Sequence, residues 1–278
     1  MPKRELNGAE LAGFIQERQA RQVRMLRQAH GIIPKLVVIK TTQSTGAIDA
    51  YIRMKQRYGD DILIQTEVVS CADADMTQHI QAANADESVH GILVQLPLAD
   101  PTQTDDIVQA IAPAKDVDGL AAGDYPSATA EAINWLLGGY NVDLDHAHIV
   151  IVGHGRLVGA PLAEMWRASG YDVTVCDQST PDLASTLAVA SVIVAATGVP
   201  RLITSDMIPI EAVVVDAGTA SENGALVGDV AEDARARDDL IITPLRGGVG
   251  PLTIAALYDH VIQAALARIP KHATPTTQ

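Results

Sequence analysis

Tyr51 and Lys55 lie four residues apart in a stretch, 46–57, that reads as a helix, so they share one face. An amine drawn out of water loses its proton more easily, and such a Lys works as an acid or base near neutral pH. A Tyr beside it can stack or donate a hydrogen bond. Taken alone, a surface Lys beside a half-buried Tyr is the plainer reading. Gln95 interrupts the apolar run GILVQLPL, 91–98. A polar side chain there must find a partner or costs about 1–3 kcal/mol. It stands near the C-terminal end of a strand, where open α/β sheets bind ligands. KDVDG, 115–119, follows. Asp118 in it can accept two hydrogen bonds from an amidine-like edge of a heterocycle, or belong to a charged linker.

A second group of residues points to a dinucleotide. HIVIVGHGRLVGAPLAEMWRASG reads as strand, turn and helix, with Gly153, Gly155 and Gly159 spaced G-x-G-x-x-x-G. The first Gly allows a sharp turn, the second a close approach of pyrophosphate, the third tight packing of helix on strand. The helix N-terminus then offers N–H groups and partial positive charge. The next strand, DVTVC, ends at Asp177, 22 residues beyond Gly155. A carboxylate there accepts from ribose hydroxyls and repels a 2′-phosphate, which favours NAD over NADP.

Alternating elements must position these groups. Helix 5–30, strand 35–40, helix 46–57, strand 62–70, helix 75–86, strand 91–98 and helix 104–112 form one series. Residues 115–130 lack apolar periodicity and read as a crossover. A helix at 129–138 leads to strand 148–152, helix 157–168, strand 172–176, helix 181–189 and strands 191–196 and 212–216. A last helix spans 252–268, with the tail 270–278 expected to fray. Strand–helix alternation predicts an α/β fold with parallel sheets covered on both faces.

The 278 residues are 47% hydrophobic and 19% charged, which is globular composition. Lys and Arg total 20 against 34 Asp and Glu, a formal charge of −14. Duplex binding draws on cations that neutralise phosphates, so a nucleic-acid role is excluded. Arg18, Arg21, Arg24 and Arg27 make a stripe along the first helix, read as a solvated face. One Phe, two Trp and six Tyr leave the core to aliphatic residues. The two cysteines, Cys71 and Cys176, fit no disulfide framework and no metal spacing, and read as reduced core thiols. With no signal-like apolar start and no run of about 18 apolar residues, the expectation is a cytoplasmic protein with no membrane partner.

Together these segments resemble the bifunctional methylenetetrahydrofolate dehydrogenase/methenyltetrahydrofolate cyclohydrolase family. Its signatures occur in order: YIRMK, 51–55; GILVQLPL; KDVDG; GHGRLVGAP, 153–161; VVVDAG, 213–218; GDV, 228–230; and ITPLRGGVGPLT, 242–253. The resemblance covers nearly the whole chain. It implies two α/β domains around a cleft: residues 1–120, to which a C-terminal helix at 252–270 returns, and a Rossmann-like NAD(P) domain at 140–250. It implies oxidation of 5,10-methylenetetrahydrofolate, then hydrolysis to 10-formyltetrahydrofolate, by a homodimer that needs no metal. It makes Lys55 the key group of hydrolysis, held by Gln95. Tyr51 would pack on the pterin, and Asp118 would grip its amino-pyrimidine edge. Gly250 and Pro251 would shape the substrate and nicotinamide cleft. Gly153, His154, Gly155, Gly159, Asp177 and Thr219 would meet the cofactor.

The chain also departs from the family pattern. Ile48 stands where a Ser is usual, and Ser127-Ala128-Thr129-Ala130 replaces Pro-Cys-Thr-Pro. His154-Gly155 replaces Arg-Ser, Asp177 a His, and Arg246 a Pro. Losing the Arg-Ser pair and gaining Asp177 both favour NAD. Arg246 could meet a phosphate or the glutamate tail of the substrate. The alternatives are a dehydrogenase with weak or absent cyclohydrolase activity, and a non-catalytic nucleotide- or folate-binding relative.

Overall fold

The structure is a computed structural model and describes residues 4–44, 46–121, 123–222 and 225–269. The chain opens with β1 (Arg4–Glu5), α1 (Gly8–His30), β2 (Lys35–Thr41), α2 (Gly46–Asp61) and β3 (Gln65–Cys71). Next come α3 (Asp73–Ala85), β4 (Gly91–Gln95), α4 (Thr104–Gln109) and α5 (Ala128–Gly139). Then follow β5 (Ile149–Val152), α6 (Gly159–Ala168), β6 (Val173–Cys176), α7 (Leu183–Leu187), β7 (Val192–Ala195) and β8 (Val213–Asp216). An antiparallel pair, β9 (Ala220–Glu222) and β10 (Ala225–Val227), precedes α8 (Glu232–Arg235), β11 (Ile241–Ile242) and α9 (Val249–Leu266). Contacts divide these elements into two compact units, Gln16–Tyr125 with Leu257–Gln278, and Met1–Ile15 with Pro126–Ala256.

The first unit holds a parallel sheet of order β3-β2-β4 among the described residues. Val37, Ile39, Ile92 and Val94 share a cluster with Met76 and Ile80 of α3. Leu36, Val38 and Leu93 alternate with them on the other face and are equally buried. A strand covered on both faces must be apolar throughout, which is why β2 and β4 lack the polar alternation of a half-exposed strand. The register sets Lys40 of β2 beside Gln95, at the end of β4.

The second unit holds a six-stranded sheet of order β1-β11-β8-β7-β5-β6 among the described residues, parallel throughout. Ile149 and Ile151 point to a cluster with Ile133, Leu136 and Leu137 of α5 and Leu162 and Trp166 of α6. Val150 and Val152 point the other way, onto Leu187, Ile193 and Val214. Each such fully buried aliphatic side chain is worth about 1.5–3 kcal/mol. From β5 the chain moves to β6 on one side and then to β7 on the other. That reversal opens a crevice beyond the carboxyl ends of β5 and β7.

The domain boundaries differ from those read in the sequence. Residues through Ile15 join the second unit, because β1 pairs with β11 and Asn7 N–H donates to the Tyr140 hydroxyl at 2.9 Å. The second unit begins at Pro126, with α5 inside it, because α5 supplies part of the sheet's cover. The last helix starts at Val249, and only its residues from Leu257 onward group with the first unit. Strand 62–70 begins at Gln65, since Ile62 and Ile64 close the turn after α2. The short strands β1, β9, β10 and β11 and the helix α8 carry too few residues to show a period. The tail at 270–278, expected to fray, lies outside the described residues.

Among the described residues α9 alone is long and apolar enough to cross a membrane, and 67% of it is buried inside the protein, as a core helix is. Cys71 and Cys176 are buried and free. Arg18, Arg21, Arg24 and Arg27 are exposed, Arg18 paired with Asp259 at 2.7 Å.

His90 closes the start of β4 by accepting the Lys35 N–H through Nδ1 at 3.2 Å. It is 5% exposed, and burial, helped by the charge of Arg268, brings its pKa down to about 4. The unfolded chain titrates near 6.5. As pH falls below that value the unfolded state takes up a proton that the folded state refuses, so stability drops between about 6.5 and 4. Between pH 7 and 4.5 the wild type should lose about 2 kcal/mol more unfolding free energy in urea than His90→Gln does. Equal losses would remove His90 from acid unfolding.

Candidate active site

The carboxyl ends of β2 and β4 and one face of α2 bring Lys55, Gln95 and Tyr51 together. Lys55 is 4% exposed, and its Nζ donates to Gln95 Oε1 at 2.8 Å. The same ammonium stands 4.6 Å from the centroid of the Tyr51 ring, a cation–π contact. Gln95 uses its amide N–H to donate to Leu96 O at 2.9 Å, which fixes which way its oxygen faces. The polar residue in the apolar strand has therefore found its partner, and that partner is the lysine. Burial lowers the Lys55 pKa to about 8, against the pull of the Asp118 charge, which raises it. Burial pushes the Tyr51 phenol up, and Asp118 adds to that. Burial also raises the Asp118 pKa, while Lys55 and His260 act to lower it.

KDVDG proves to be a scaffold for one carboxylate. Lys115 is buried, and its Nζ donates to Ala83 O, Asn84 O and Asp86 O, each at 2.8 Å. These carbonyls end α3, where the helix dipole favours a cation. Asp116 is wholly buried and accepts Ala121 N–H at 2.8 Å and Leu120 N–H at 3.4 Å. Both charged residues thus close the backbone around Asp118, whose own side chain stays half-buried with its charge acting on Lys55 and Tyr51.

The glycine loop of the second unit behaves as its spacing predicts. Gly153 has φ +104°, and a Cβ there would lie 2.4 Å from Ala196 O. A Cβ on Gly159, at the first turn of α6, would lie 1.9 Å from Gly153 O, so helix and strand meet with no room for a side chain. Gly155 faces open space. The backbone therefore leaves a cradle at its middle glycine and closes at the two outer ones, which fits a pyrophosphate. His154 and Asp177 are exposed at this edge. Asp177 Oδ1 accepts Ser179 N–H at 2.8 Å and Ser179 O–H at 2.6 Å, which holds its carboxyl below the usual range. Ser127 donates to Leu157 O at 3.0 Å and caps α5, tying that helix to the loop. Thr219 is exposed between β8 and β9, and Gly250 and Pro251 stand in the first turn of α9. Among the described residues no group of three or more His, Cys, Asp or Glu could hold a metal.

Two family descriptions match the chain. The tetrahydrofolate dehydrogenase/cyclohydrolase catalytic domain matches residues 6–118, and the NAD(P)-binding domain of the same family matches residues 127–269. The chain belongs to the tetrahydrofolate dehydrogenase/cyclohydrolase family. Bifunctional FolD proteins of Bordetella avium and Exiguobacterium sibiricum are 37% and 34% identical to it over 280 and 274 residues. Those alignments cover 95% and 94% of this chain and 98% of each relative. The crystal structure of the bifunctional FolD enzyme of Campylobacter jejuni matches with TM-score 0.88 at 33% identity, over 95% of this chain and 99% of its own. That of Trypanosoma brucei FolD, complexed with NADP cofactor and inhibitor, gives 0.89 at 26%, over 96% and 99%. The protein is thus a bifunctional folate enzyme of one-carbon metabolism. It oxidises 5,10-methylenetetrahydrofolate with a nicotinamide cofactor and hydrolyses the methenyl product to 10-formyltetrahydrofolate.

The site also contains residues that sequence reasoning missed. Tyr258 O–H donates to Lys55 O at 2.7 Å, and its oxygen lies 2.7 Å from Thr66 Oγ1. The His260 ring stacks on Tyr125 with centroids 5.0 Å apart, and its Nδ1 meets Val117 O at 2.7 Å, next to Asp118. Both come from α9, some 140–200 residues from what they touch. The one available signal is the polar run Tyr258-Asp259-His260 within a mostly apolar helix.

A titration of Lys55 followed by carbon NMR of its ε-methylene should show a midpoint near 8. Asp118→Asn removes the charge that favours the ammonium, so it should move the midpoint lower. A midpoint in the ordinary lysine range, unmoved by that substitution, would deny the site its acid–base group.

Proposed function

We propose that Lys55 carries the hydrolytic step of this enzyme, with Gln95 as its anchor, Tyr51 as a packing surface and Asp118 as the grip on the pterin. The 2.8 Å bond from the buried Lys55 to Gln95 is the observation that carries this reading. The methenyl carbon is already an iminium-like electrophile, so hydrolysis needs positioning and proton transfer. Lys55, with a pKa near 8, takes a proton from the adding water. It returns that proton to the ring nitrogen that leaves when the C–N bond breaks, and the carbinol hydroxyl releases its own proton to solvent as the formyl C=O forms. Gln95 holds Nζ in place for both transfers. Asp118 accepts from the amino-pyrimidine edge and so must be ionised, which the nearby Lys55 favours.

In the second unit Gly153, His154, Gly155, Gly159 and Thr219 would hold the dinucleotide. When bound, its nicotinamide supplies the hydride acceptor. Gly250 and Pro251 would border the reacting end of the folate. Asp177 favours NAD: it is an exposed carboxylate at the end of β6, and the loop offers His154 and Gly155 where an Arg-Ser pair would meet a 2′-phosphate. NADP has one observation on its side, Arg156, exposed in the same loop. The homodimer through the cofactor unit fits the exposed Val199, Ile210 and Leu226 on that unit. The two buried free thiols fit a cytoplasmic enzyme.

Lys55→Met should lower hydrolysis of methenyltetrahydrofolate by about a hundredfold or more and leave cofactor binding intact. Unchanged 10-formyltetrahydrofolate production would take Lys55 out of the mechanism. The ratio of kcat/KM for NAD to that for NADP should exceed one in the wild type and fall in Asp177→Ser. A wild-type preference for NADP would shift the specificity argument to Arg156.

A further inference from the structure

A buried carboxylate pair lies behind the crevice of the second unit. Asp229 is wholly buried. Its Oδ2 accepts Thr197 N–H at 2.6 Å, Thr197 O–H at 2.8 Å and Gly198 N–H at 3.2 Å. Its Oδ1 has no hydrogen-bond partner among the described residues. Asp216, at the end of β8, accepts Gly218 N–H and Asp229 N–H through Oδ1, each at 3.1 Å. Its Oδ2 accepts Val230 N–H at 3.0 Å and pairs with Arg235. Three backbone segments, 196–199, 217–219 and 228–230, are knitted by two side chains. A Cβ on Gly218 would fall 2.0 Å from Asp229 Cγ, so the turn after β8 is pressed against the carboxylate.

Residues 196–199 follow β7 at the reversal of strand order, and Ala196 O is the atom against which Gly153 is packed. They form the second wall of the dinucleotide crevice. Asp229 turns the Thr197 and Gly198 N–H groups of that wall inward, with Gly198 at φ +71°, while the Ala196 N–H stays on Val152 O. A buried carboxylate with one oxygen unpartnered works against folding. Packing alone therefore does not account for it, while fixing three donors of one loop does.

We propose that Asp229 is the positioning residue of the cofactor site, holding the loop after β7 in the form that receives the dinucleotide. This rests on the glycine loop being the dinucleotide site. The hydrolytic step supplies an internal control, because it runs on methenyltetrahydrofolate without cofactor and the residues proposed for its proton transfers, Lys55 and Gln95, lie in the other unit.

The test measures the Kd for NADH and NADPH by nicotinamide fluorescence, the cofactor KM, and cofactor-free hydrolysis, in Asp229→Ala, Asp229→Asn and Thr197→Val. Asp229→Ala should raise Kd and KM about tenfold or more while hydrolysis stays within about twofold. Asp229→Asn keeps an oxygen for the loop N–H groups and should recover most of the affinity. Thr197→Val removes the two hydrogen bonds of that hydroxyl, its donation to Asp229 and its acceptance of the Val199 N–H, and should weaken binding about threefold. A folded Asp229→Ala variant with wild-type Kd overturns the proposal. So does hydrolysis that falls in step with cofactor binding, which marks a general structural role. If Asp229→Ala does not fold, Thr197→Val decides: weaker binding with intact hydrolysis supports the proposal, and unchanged Kd overturns it. A wild type that binds neither cofactor instead overturns the reading of the glycine loop, and this proposal with it.

Discussion

The Lys55 ammonium has been taken out of water, and the rest of its unit is arranged around that cost. Desolvation alone would drive the amine to its neutral form. A carboxylate, an amide oxygen and an aromatic face return part of the lost solvation. The balance leaves a group that titrates near 8, inside the range where it can both take and give a proton. Too little burial would leave a permanently charged lysine. A direct carboxylate hydrogen bond would hold the ammonium equally fast. A neutral amide at 2.8 Å fixes the position of Nζ without adding a charge that opposes its deprotonation.

A second buried lysine shows how much the surroundings decide. Lys115 is also buried and also has its pKa lowered, chiefly by burial. Among the described residues its three hydrogen bonds go to carbonyls that terminate α3. With three donors and three acceptors matched, it is a structural cation. Lys55 gives one hydrogen bond to Gln95 among the described residues, which leaves donors to meet substrate and water. In KDVDG the outwardly similar Lys115, Asp116 and Asp118 therefore divide into two clamps and one half-buried carboxylate whose charge acts on Lys55. Residue type alone does not separate them. The separation comes from where the chain turns.

Legibility in the sequence followed the range of the interactions. The strands β2, β4, β5, β7 and β8 carry runs of apolar residues long enough to show their burial. The loop from Gly153 to Gly159 is local, so spacing was enough to identify its turn, its cradle and its close approach to α6. Gln95 was also visible as a polar residue with an obligation to bond, whereas the helix face by itself read Lys55 as a surface lysine; the structure buries it, and only the family resemblance had singled it out. Pairing of β1 with β11 was not visible, because two residues carry no period and their partner lies more than 230 positions away. Separations of 203 and 143 positions hid Tyr258 and His260, whose roles exist only after α9 has packed against Lys55 O and Val117 O.

The two sites solve opposite electrostatic problems with the same backbone chemistry. At Lys55 the protein must leave a buried charge able to change. Around Asp216 it must stop one from changing, since burial raises the carboxyl's pKa while three backbone N–H groups and Arg235 hold its ionised form. Satisfying both oxygens of Asp216 makes it a rigid post. Asp229 leans on that post through its own N–H and spends one oxygen on the loop after β7. The carboxylates behind the glycine loop are thus held still by donors, and the buried Lys55 is held, among the described residues, by a single neutral acceptor. A site that must bind a dinucleotide needs its donors fixed. A site that must relay a proton needs its donor positioned with donors to spare, and the difference between three bonds and one at a buried charge is enough to set that.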